Sequence, residues 1–100
     1  MDKSVLLQRV KIALRISHDV LDDDIQADID ACLADLTMCG VVFDPQANEL
    51  DPLIFNAVKL YCRATYTDDT AKGAELLRRY DALKGSLMLA KEYKGAESDA

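Results

Sequence analysis

The stretch "DPLIFNAVKLYCRATY", Asp51 to Tyr66, constrains the fold more than any other. Asp51 followed by Pro52 is a helix start: an aspartate caps the first free amides, and proline needs no amide partner at the first helical position. Leu53, Ile54, Phe55, Ala57, Val58, Leu60, Tyr61, Cys62, Ala64 and Tyr66 then cover most of a helical circumference. Only Asn56, Lys59, Arg63 and Thr67 leave a polar strip, at helical spacing. A helix this apolar is stable only when other elements surround it. The chain must therefore supply neighbours for it.

Three further segments are expected to do so. Leu6, Leu7, Val10, Ala13 and Leu14 recur at helical spacing and predict a short amphipathic helix from about Lys3 to Arg15. A second helix is expected from an Asp19 cap to about Cys39, closed by Gly40, with Asp22 in a loose capping-box position. Its core stripe is Leu21, Ile25, Ile29, Cys32, Leu33 and Leu36. A fourth helix is expected from about Ala74 to Tyr93, with Leu76, Tyr80, Leu83, Leu87 and Ala90 inward and Gly85 as a weak point that packing could explain. Between the second and third helices, Pro45, Asn48 and Pro52 predict a long loop, with a short extended piece at Val41 to Phe43. "TDDTAKG" reads as a polar linker, and residues 94–100 as a disordered polar tail. Four glycines and two prolines are too few for a turn-rich sheet protein. The expectation is one all-α domain over residues 1–93, a small bundle of about four helices.

The second segment is also where the charge lies. From His18 to Leu36 it carries Asp19, Asp22, Asp23, Asp24, Asp28, Asp30 and Asp35, with no lysine or arginine. At about 100° per residue, Asp24, Asp28 and Asp35 form one strip and Asp23 and Asp30 another, more than a quarter-turn away. Acids that diverge cannot gather the six to eight oxygens a calcium ion takes, and the calcium-loop pattern is missing. No metal or cofactor is expected. Asp23, Asp24, Asp28, Asp30 and Asp35 read as a solvated acidic surface. Between the two strips run Ala27, Ala31, Ala34 and Met38, roughly opposite the core stripe. Alanine is a good helix former on any exposed face. A row of small residues also admits another backbone closely, which makes this strip the candidate subunit contact. Arg9, Lys11, Arg15, Lys59, Arg63, Arg78 and Arg79 are the bases available to meet its acids.

The function classes narrow accordingly. A net charge of −6 argues against bulk electrostatic binding to DNA or to an anionic membrane. No apolar run approaches the roughly 20 residues of a membrane span. The N-terminal segment lacks a signal-peptide core, because Gln8, Arg9 and Lys11 interrupt it, so the chain is expected in a cytoplasm. Cys32, Cys39 and Cys62 form no CxxC pair and read as reduced core thiols. The one histidine, His18, sits at an expected helix start without a catalytic partner, and the four glycines stand too far apart to cradle a phosphate. The expectation is an interaction protein rather than an enzyme.

The order of the segments is informative. "VKIALRISHDVLDDDIQADIDACLADL", a proline-bearing loop, "DPLIFNAVKLYCRATY" and "YDALKGSLMLAKEY" together resemble the head–tail connector (head-completion, or DNA-packaging adaptor) family of long-tailed phages and prophages. The resemblance spans about Leu6 to Tyr93. Its pieces are Leu14-Arg15-Ile16 before an acid-rich helix start, the aliphatic helix from Ala57-Val58 to Tyr61, and the closing Tyr80 with Leu83-Lys84. It implies a non-enzymatic virion protein made in the host cytoplasm. Such a protein forms a homo-oligomeric ring, commonly dodecameric, beneath the portal protein at the head–tail junction. The ring would extend the DNA channel and dock the next head-completion or tail protein. An acidic channel surface would let DNA slide, with no sequence-specific nucleic-acid contact and no membrane partner. The family carries over no individual functional residues. A competing reading from the residues is a small helical regulator, an antitoxin or a helix-turn-helix protein. Its second helix would then press aspartates against DNA phosphates. A metal- or ligand-binding helical bundle is a third.

Overall fold

A computed structural model describes residues 3–44 and 51–90. They form four helices: α1 (Lys3–Leu14), α2 (Asp22–Met38), α3 (Pro52–Tyr66) and α4 (Thr70–Leu89). The fold is all-α, as expected. Helix α3 packs against each of the other three, most extensively against α4, and α1 also packs on α2. Its fully buried Ile54, Ala57, Val58 and Cys62 meet Val10 of α1, Ile25, Ile29, Cys32 and Leu36 of α2, and Leu87 of α4 in one core. Leu21 and Leu33, at the edges of the α2 stripe, are half-buried.

Asp51 caps α3 as its sequence implies, accepting the Leu53 amide at 2.8 Å, with Pro52 at the first helical position. Two other boundaries differ from expectation. Helix α4 begins at Thr70 rather than Ala74, because Asp69 accepts the Lys72 amide at 3.1 Å and caps the helix there. Of the residues that read as linker, Thr70 to Gly73 are therefore its first turn, and Thr67 to Asp69 connect the two helices. Gly73 in that turn is buried: a Cβ there would stand 3.2 Å from Thr67 Cγ2 and 3.5 Å from the Ala64 carbonyl. That close approach of α4 to the end of α3 leaves little room for a side chain at this position. Gly85 has no such neighbour within 4 Å, so packing does not explain it. At its other end α4 stops at Leu89, short of Tyr93, and the polar tail lies outside the described residues.

Helix α2 starts at Asp22, after Leu21, and no side chain caps it. The expected cap, Asp19, is engaged elsewhere. Lys11, only 3 % exposed, sends its ammonium to Asp19 Oδ1 at 2.8 Å and to Asp22 Oδ1 at 2.7 Å. A nearly buried cation must be paired, whereas the free amides of an exposed helix start can be left to water. Helices α1 and α2 end alike. Arg15 donates its amide to the Ile12 carbonyl at 3.1 Å, and Ile16 reaches back to Lys11 at 2.9 Å. Gly40 donates to Thr37 at 3.1 Å, and Val41 reaches back to Leu36 at 3.0 Å. Both are Schellman closures, with the turning residue left-handed at φ 60° for Arg15 and 90° for Gly40. Of the expected loop, residues 41–44 are irregular; Pro45 to Leu50 lie outside the described residues.

Candidate functional site: an acidic helix face and a cation-lined groove

The acids of α2 divide by what they touch. Asp23, Asp24 and Asp30 are exposed, while Asp28 and Asp35 are half-buried. Asp35 accepts the Tyr80 hydroxyl at 2.6 Å and the Lys84 ammonium at 2.9 Å on one oxygen. It is an internal tie between α2 and α4, and not only a surface charge. The Tyr80 hydroxyl first, and Lys84 next, hold its carboxyl below the usual carboxylate range. Burial, reinforced by Asp35, pushes the Tyr80 hydroxyl well above its ordinary value. Tyr80 also accepts the Cys32 thiol at 3.7 Å and meets Tyr61 edge-on, ring centroids 5.3 Å apart. Burial raises both inner thiols, Cys32 and Cys62, to about 12, which makes them poor nucleophiles. Asp28 lies against the Tyr66 hydroxyl, which burial first and this carboxylate second push upward. Nothing in the sequence separates Asp28 and Asp35 from their neighbours except that their strip turns toward the flank of the core stripe.

Ala27, Ala31, Ala34 and Met38 are all exposed, Met38 at 86 %. They form an outward ridge on α2 with Asp23 and Asp30 on one side and Asp24 on the other. Among the described residues, no group of three or more histidine, cysteine or acidic side chains could hold a metal ion.

The bases are distributed with similar selectivity. Lys11 is consumed by Asp19 and Asp22 inside the subunit, so it is not available to a neighbour. Arg9 and Lys59 both lie over the Phe55 ring, at 4.9 and 5.2 Å from its centroid. Arg79 pairs with Glu75 one turn earlier at 2.9 Å. Among the bases whose side chains are described, Arg15, Arg63, Lys72 and Arg78 make no ion pair or ring contact. Three of these four, all but Arg78, line one groove of about 500 Å³. It lies between the α1–α2 turn, the end of α3 and the start of α4. Leu14, Ile16 and Leu21 are half-buried in its wall and Leu76 is buried there, beside Tyr66. No local pattern in the sequence marks this groove, because its cations come from three separate segments.

The family described as "phage connector protein" matches residues 6–94, a span that contains α2, α3 and α4 whole, most of α1, and the groove. The chain belongs to this family. The resemblance read from the order of its segments is therefore correct. As a connector it is a structural phage protein, and its membership supplies no catalytic machinery. No curated protein and no solved structure shows a significant match to it. Among the described residues of this connector, no helix is long and apolar enough to cross a membrane.

Proposed function

We propose that this connector is a subunit of a ring at the head–tail junction of a virion. The ring sits beneath the portal, extends the DNA channel and offers a docking surface to the next head-completion or tail protein. The observation that carries the reading is the family match across nearly all of the described helices. Two physical features support it. Helix α2 spends its inward face on the core and leaves a ridge of small residues, Ala27, Ala31, Ala34 and Met38, open to a neighbour. The chain is also acidic overall, so surface left uncovered in the ring repels phosphate and does not hold a passing duplex. The same acids argue against a regulator that reads DNA with α2, since Asp23, Asp24 and Asp30 would meet the phosphates.

The test mixes the purified chain with portal rings and follows co-sedimentation and particle images. The parent is expected to add a closed ring of subunits to the portal. Ala31→Arg places a long cation on the ridge, opposite the core, and is expected to keep the parent's helical content and melting temperature while failing to form the ring. A parent that never associates with portal rings would overturn the connector reading.

A further inference from the structure

We infer that the cation-lined groove of one subunit receives the acidic ridge of α2 from a second copy of this chain. This rests on the ring reading above and names the two surfaces that would meet in it. The groove has an apolar wall of Leu14, Ile16 and Leu21, with exposed Arg15, Arg63 and Lys72 around it. The ridge is its counterpart in both respects: alanines along the crest, with Asp23, Asp24 and Asp30 exposed on its flanks. Internal pairing does not explain where the groove's cations stand. Every other described base except Arg78 has found a carboxylate or an aromatic ring within the subunit, in a chain that has acids to spare. Three cations held around one groove with an apolar wall, in a molecule of net charge −6, fit an anionic partner with a narrow apolar crest. The chain's own α2 has that composition.

The contact is heterologous, because groove and ridge are different surfaces, and repeated heterologous contacts make a ring when the rotation between subunits closes. Charge pairing of this kind sets register and partner choice more than raw affinity. It also weakens as salt shortens the screening length.

The experiment uses two full-length variants, each reversing one surface. One carries Arg63→Glu with Lys72→Glu in the groove, and the other Asp24→Lys with Asp30→Lys on the ridge. All four positions are exposed, so circular dichroism is expected to show parent-like melting for both. Assembly is read by sedimentation velocity and mass photometry, alone and on portal rings. Each variant alone is expected to assemble at least about tenfold more weakly than the parent, because its reversed surface meets like charge. A 1:1 mixture is expected to recover the parent's assembly, since each variant's altered surface then faces an opposite one. Two variants that each assemble like the parent would overturn the inference and leave the ring reading standing. So would a mixture that fails to recover. A parent that forms no oligomer in either setting would bring down both. Duplex DNA retained by the parent and released by the groove variant would assign the groove to phosphates instead, and overturn the inference.

Discussion

Helices α1 and α2 end in the same backbone geometry but with different chemistry. The α2 end has glycine at the left-handed position, and its closing pair is apolar, with Leu36 fully buried and Val41 nearly so. The α1 end has Arg15 in that position, and the residue reached by its long return bond is Lys11, a buried cation held by two carboxylates. A left-handed conformation costs a residue with a side chain roughly 1–2 kcal/mol, and glycine almost nothing. One end is thus closed for stability. The other keeps a cation beside the groove and an ionic clasp on the start of α2, at some cost in strain. Helix termination here does not depend on glycine when tertiary contacts hold the turn.

The sharpest way to break the comparison is at the residue that the long return bond of α2 reaches. Leu36→Ala is expected to lower stability by about 2–5 kcal/mol, the range for removing a fully buried leucine. Urea melts would show the loss at every pH. A loss under 1 kcal/mol would mean that Leu36 does not anchor the α2 end.

The turning residues give a smaller, paired effect of opposite sign. Gly40→Ala is expected to cost about 1–2 kcal/mol from its positive φ alone, because nothing stands within 4 Å of the added Cβ. Arg15→Gly is expected to relieve the same kind of strain and stabilise by up to about 1 kcal/mol, offset in part by the freer unfolded chain. Thermal melts of the two variants should therefore move in opposite directions. The same Arg15→Gly protein should assemble less well, having lost one of the groove's cations.

The smallest effect is a difference in pH dependence. Lys11 holds the Asp19 carboxyl below its ordinary value through a direct hydrogen bond, while its own ammonium is raised, chiefly by Asp19 and then by Asp22. A depressed carboxyl stabilises the fold above its unfolded pKa of about 4, and that contribution fades as pH falls through the folded value. A raised ammonium acts in the other sense: its contribution is complete below about 10.4 and fades as pH climbs through the folded value. Asp35 and Lys84 follow the same two signs and set a background acid and alkaline loss. Lys11→Met is expected to shallow the acid limb between pH 5 and about 3 relative to the parent, whereas Leu36→Ala should leave its slope unchanged. Equal slopes in the parent and Lys11→Met would show that the clasp adds nothing to acid stability.

What could be read in the sequence was what local chemistry encodes. Asp51-Pro52 marks the start of α3 without help from the rest of the fold, and the Ile25, Ile29, Cys32 and Leu36 spacing fixes the buried face of α2. Gly40 announces its own turn. What could not be read depended on a partner far along the chain. Asp19 reads as a cap until Lys11 claims it, and Gly73 reads as a linker until the end of α3 is seen against it. Asp35 resembles its acidic neighbours until Tyr80 and Lys84 arrive from α4. Arg15, Arg63 and Lys72 share a groove only because three segments fold together.

Three residues, Thr67 to Asp69, separate α3 from α4, and the two helices share the largest contact in the molecule. Closing so short a loop loses little chain entropy, whereas bringing α1 or α2 onto α3 must first close a longer one. The α3–α4 pair is therefore expected to gain contacts first, with α1 and α2 docking onto it afterwards. The groove needs the α1–α2 turn as well as α3 and α4, so in that order it would be completed only at the last step. A half-folded subunit has no groove to offer. Recruitment through that surface would therefore act as a checkpoint, admitting finished subunits and leaving incomplete ones in solution.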